Sequence, residues 1–172
     1  MRTLSLTQQL DHWARNLTPF AITVALVFLG VVPLPMPDFG AIAPALALIS
    51  VYYWAIFRPD LLPAVAVFAV GLLEDVLDGG ALGTRALVLL AVYGLVAVQR
   101  RRLIGRSFLA LWGGFFLVGS LAIVVEWVIL FTLHWQAINP VPALFQLFVT
   151  AALYPCLAWL LTRVHGAVLR QD

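Results

Sequence analysis

Glu74, Asp75, Asp78, Arg85 and Glu126 are ionisable residues set within strongly apolar sequence. In a hydrocarbon layer each such group costs about 2.5–3.5 kcal/mol on insertion scales, so each needs a partner or a task. A tight Gly79-Gly80-Ala81 turn separates the first three from Arg85. Asp75 lies four residues before Gly79 and Arg85 four after Ala81, which puts them at similar depth on two antiparallel helices. The spacing predicts an Asp75–Arg85 ion pair, with Asp78 capping the start of the second helix. Glu126, flanked by Val124, Val125, Trp127 and Val128, sits about 10 Å inside the end of its helix at Leu133. It is expected to face the bundle and join the Arg85 cluster. Such a cluster is either an ion or substrate site or a clamp that fixes the turn. Its place near the helix ends favours the clamp, because transporter sites lie nearer the membrane midplane on broken helices. Gly71, Asp75 and Asp78 share one helical face, where Gly71 admits a close neighbour, and Ala110 with Gly114 makes a second small-residue step.

Other chemistry is sparse. His12, His134 and His165 have no companions at ligand spacing, and no GxSxG, HExxH, P-loop or paired-cysteine motif occurs. No catalytic residue, metal ligand set or cofactor is therefore expected. Cys156 cannot form an internal disulfide and is expected as a small packing residue.

The elements that must hold these residues are helices in lipid. The chain has 172 residues, 63% apolar and 10% charged, with a mean hydropathy of +1.03. Soluble domains average about 45–50% apolar and about 25% charged, so an ordinary soluble protein is excluded. A net charge of +2, with the arginines dispersed, is too small to suggest a nucleic-acid partner. Six apolar runs stand out: 17–34, 41–57, 61–77, 82–98, 108–133 and 143–161. They do not alternate as barrel strands would, and backbone groups in lipid must be paired internally, so helices are expected. Pro33, Pro35, Pro37 and Gly40 break the first pair, Arg58-Pro59-Asp60 the second, Gly79, Gly80 and Gly83 the third. Arg100, Arg101 and Arg102 mark the fourth break, and Asn139, Pro140 and Pro142 the fifth. With six spans, nine arginines fall on the side of both termini and only Arg85 on the other, so both termini are expected in the cytoplasm. The expectation is one transmembrane domain over 1–172: a cytoplasmic juxtamembrane segment at 1–16 and a compact six-helix bundle at 17–165. Arg100, Arg101, Arg102 and Arg106 form a cytoplasmic basic loop suited to a topology signal, anionic lipid or a cytoplasmic partner.

The stretch from Gly71 to Leu87, GLLEDVLDGGALGTRAL, resembles the signature hairpin of the rod shape-determining MreD family. That pattern is a glycine, a buried Asp, a small polar turn and Leu-Gly-x-x-Ala-Leu. Asp75, Gly83, Ala86 and Leu87 match it, and Arg85 matches some members. Tyr53-Trp54 before the Arg58-Pro59 turn is similar, as is Tyr154-Pro155 before an apolar run and Arg163. The resemblance implies a non-enzymatic, multi-pass subunit of the bacterial inner membrane that serves cell elongation and lateral peptidoglycan synthesis. It implies MreC as the direct partner. MreB, RodA and a class B penicillin-binding transpeptidase are implied as indirect ones, and a homodimer within the complex is compatible with it. The implied fold is similar to the six-helix substrate-binding subunits of energy-coupling-factor vitamin transporters, which supply the alternative function. Short outer loops, with little beyond Trp135, Gln136 and Asn139 to read a ligand, favour the scaffold.

Overall fold

The computed structural model describes residues 6–31, 43–134 and 140–169, with side chains described within 18–31, 43–132 and 140–166. Pro33 to Gly40, Trp135 to Asn139, and the side chains of His12 and His134 lie outside the described residues. The described chain forms six helices: α1 (Leu6–Val31), α2 (Leu46–Phe57), α3 (Ala64–Asp78), α4 (Thr84–Leu103), α5 (Phe108–His134) and α6 (Val141–Leu169). Each apolar run becomes a helix, because a chain this poor in polar side chains satisfies its own N–H and C=O groups best by local pairing. α1 runs unbroken through residues 16 and 17, so the helix itself has no boundary between a surface segment and the first span. Pro63 precedes α3, and its fixed φ suits the last residue before a helix.

Helix α2 organises the bundle. It is apolar all round, and every residue from Leu46 to Ile56 is buried, as expected of a helix with no polar face. α1, α4 and α6 pack around it, with α5 touching it as well. Tyr52 stands at the centre, edge-on to Phe115 at 5.3 Å and to Tyr154 at 5.8 Å between ring centroids. A buried phenol needs a partner, and the Tyr52 hydroxyl donates to the Leu111 carbonyl at 3.0 Å. Thr23 of α1 and Ser50 of α2 share a buried hydrogen bond of 2.8 Å.

Among the described residues, α5 and α6 are the two helices long and apolar enough to cross a membrane. Their outer faces expose Leu117, Leu121, Val124, Phe145, Phe148 and Trp159, surface that only lipid or an apolar partner can cover. Pro155 inside α6 lacks the N–H that would bond the Ala151 carbonyl four residues earlier. Trp112 of α5 takes up that carbonyl with its indole N–H at 2.9 Å. Cys156, expected in the packing, is exposed on the outer face of α6, because Tyr154 and Ala158 hold the inward positions beside it.

Candidate functional site: a hairpin capped by a buried carboxylate

The α3–α4 hairpin depends on two glycines at its corners. Gly79 ends α3 at φ 67° and Gly83 precedes α4 at φ 95°, left-handed values that a side chain disfavours. Gly83 has no side chain to cap α4, so the first N–H groups of that helix need another acceptor. Asp75, one turn back in α3, supplies it. Its carboxylate accepts from the N–H of Gly83 at 2.8 Å, of Arg85 at 2.9 Å and of Ala86 at 3.4 Å. The side chain is buried, with 2% exposure. A carboxylate here meets three oriented N–H groups and the positive end of the α4 dipole, which together replace the water it has lost.

Gly71 lets this happen. A Cβ at that position would lie 2.3 Å from Ala86 Cα and 2.7 Å from its nitrogen. The backbone of α4 therefore presses directly on α3, one turn below the cap.

The structure changes the expected pairing. Arg85 gives its backbone N–H to Asp75, while its guanidinium reaches Asp78 at 3.3 Å and Glu126 at 3.2 Å. Asp78 is therefore the arginine's ion-pair partner, and Asp75 is the cap. The exchange follows from helical geometry: Asp75 points along the face that packs on α4, whereas Asp78 sits at the open end of α3, beside the mouth of the turn. Glu126 brings α5 to the cluster, so one arginine joins three helices. Glu74, Asp78 and Arg85 also border a polar recess closed by the end of α1, the start of α2 and Gln146 of α6. Its volume is about 40 Å³.

Several positioning residues carried no motif. Gln146 donates its side-chain N–H to the Ala43 carbonyl at 2.8 Å, and the Thr150 hydroxyl accepts from Ala45 N–H at 3.1 Å. They tie α6 to the chain entering α2, which has no side-chain cap of its own. A single polar residue in an apolar helix was the only signal in the sequence for either.

The basic residues also divide. Arg100, Arg101 and Arg102 lie in the last turn of α4 rather than in a loop. Arg100 points inward and donates to the Ile56 carbonyl at 2.8 Å, closing the C-terminal end of α2. Arg101, Arg102 and Arg106 are exposed. Of Ala110 and Gly114, only Gly114 meets the core, where a Cβ would lie 2.8 Å from the Tyr52 hydroxyl; Ala110 is exposed.

These features define an all-helical protein of membrane type, built around a buried central helix and a charge-locked hairpin. The sequence pattern of the rod shape-determining protein MreD family matches residues 14–164, most of the chain. The chain belongs to that family. No curated protein and no solved structure matches it.

Proposed function

We propose that the protein is a non-enzymatic scaffold of the cell-elongation machinery in the bacterial inner membrane. It crosses the membrane six times with both termini inside, and binds an MreC-type single-pass partner. Through that partner it supports RodA, a class B penicillin-binding transpeptidase and the MreB filament in lateral peptidoglycan synthesis. The observation that carries this reading is the family match over residues 14–164. The arginine asymmetry supports the orientation, and the Asp75 cap supports a structural role for the charges. The polar recess at Glu74, Asp78 and Arg85 holds about 40 Å³, far below the roughly 300–1,000 Å³ of a small-molecule site. That size favours a clamp over a ligand site at this cluster.

The test is recovery of partners. The tagged protein is purified from its own membranes in mild detergent, and co-purifying proteins are identified by mass spectrometry. An MreC-like single-pass protein is the expected result. Paired ATPases with a coupling subunit would overturn the proposal. In cells, Asp75→Asn is expected to insert into the membrane yet lose rod shape or partner recovery. Normal rods with unchanged recovery would refute the role given to Asp75.

A further inference from the structure

A second feature lies at the opposite end of the bundle, where α2 ends and α5 begins alongside α6. Tyr53 and Phe57 of α2, Phe108 and Leu111 of α5, and Pro155 and Trp159 of α6 wall an apolar groove of about 390 Å³. Phe57, Phe108 and Trp159 are 38%, 51% and 61% exposed, so the groove opens outward. We propose that it seats one acyl chain of an anionic phospholipid, with the phosphate held by arginines at the rim.

Charge placement carries the choice of occupant. Each of the three walls has an arginine close in sequence to a lining residue. Arg58 follows Phe57, Arg106 stands two residues before Phe108, and Arg163 follows Thr162, itself part of the wall. The Arg163 guanidinium lies 4.9 Å from the Trp159 ring centroid, so it is held at the lip of the groove. Among the described residues, no acidic side chain lines the groove. An apolar slot beneath a cationic rim matches an anionic headgroup with a hydrocarbon tail. The walls also disfavour a partner helix. A helix is about 10–12 Å across with its side chains, and helices approach closely in lipid through small residues. This groove presents aromatic rings instead.

The inference rests on the membrane placement proposed above but on no partner of the rod machinery. Purified protein is equilibrated with equal amounts of phosphatidylglycerol and phosphatidylcholine of identical chains, and retained lipid is read by native mass spectrometry. Phosphatidylglycerol is expected to be enriched, and Arg163→Gln to reduce the enrichment by about fivefold. Arg101→Gln, on a helix that does not wall the groove, is expected to reduce it clearly less. Gel filtration and melting temperature establish that both variants fold. A phosphatidylglycerol with a diazirine on its tail is expected to label residues 104–111 and 155–163. Equal retention of both lipids, an equal effect of Arg101→Gln, or labelling spread evenly over α5 and α6 would overturn the proposal. So would a co-purified single-pass protein cross-linked in the groove in place of lipid. Lipid preference in detergent is independent of orientation, so a topology assay on the C-terminus separates failure of the placement from failure of the groove.

Discussion

Asp75 has the most demanding environment of any single residue here. It accepts three backbone N–H groups while buried, and an amide offers only one acceptor oxygen and turns a donor toward those donors. Asp75→Asn is therefore expected to lower stability by about 1.5–3 kcal/mol, the range for hydrogen bonds to a charged group. Asp78→Asn, at a half-exposed position, is expected to cost clearly less; thermal unfolding in detergent ranks the two. Equal losses would place the arginine pair, rather than the cap, at the centre of the hairpin. Gly71 makes a second residue-level test. Gly71→Ala puts a methyl 2.3 Å from Ala86 Cα, so two backbones must separate, at about 1–3 kcal/mol for overpacking. Adding Ala86→Gly is expected not to rescue it, because the clash is with backbone atoms that every residue has. By contrast Gly119→Ala meets only the end of the Leu147 side chain, which can swing aside. Comparing the melting temperatures of the three variants checks the argument.

Among elements, α2 is short and depends on its neighbours for both ends. Gln146 and Thr150 hold its entry, and Arg100 holds its exit at the Ile56 carbonyl. Arg100→Ala is expected to destabilise more than Arg101→Ala or Arg102→Ala, whose side chains are exposed. Equal, small effects of all three on the unfolding midpoint would reduce Arg100 to a topology signal. Helix α6 carries a comparable dependence. Trp112 serves a carbonyl that Pro155 leaves free, so Trp112→Phe is expected to cost about 1 kcal/mol. In a Pro155→Ala background the restored N–H can bond Ala151, and the same Trp112→Phe change is expected to cost less. A double-mutant cycle measures that coupling directly.

At the scale of the whole molecule the helices are unequal. α2 and α3 have 12 and 15 residues, or about 18 and 22 Å at 1.5 Å per residue, against about 30 Å of hydrocarbon. α2 tolerates this because its neighbours, not lipid, surround it. α5 and α6 are longer, and their outer faces remain apolar and uncovered. The nine-to-one division of arginines then predicts both ends of the chain inside. A fluorescent-protein fusion at the C-terminus is expected to glow, and an alkaline phosphatase fusion there to stay inactive. The opposite result would place the C-terminus outside and overturn that prediction.

The helical class, the approximate positions of the six helices and the tight turn of the Gly71–Leu87 hairpin were legible in the sequence. Each is written locally, in unbroken apolar runs and in the glycines and prolines that end them. The family resemblance on that hairpin belongs with them, since it rests on spacing within 17 residues. Which carboxylate caps and which one pairs was not legible. Asp75 and Asp78 differ by less than a turn, and only the angle at which α4 crosses α3 decides which of them meets backbone N–H groups. The roles of Arg100, Gln146 and Trp112 were hidden for the same reason, because each serves a carbonyl on a helix or its entry 39 to 103 positions away. Composition favours apolar helices suited to lipid; only their packing selects α2 as the buried axis, since α5 is as apolar yet keeps an exposed face.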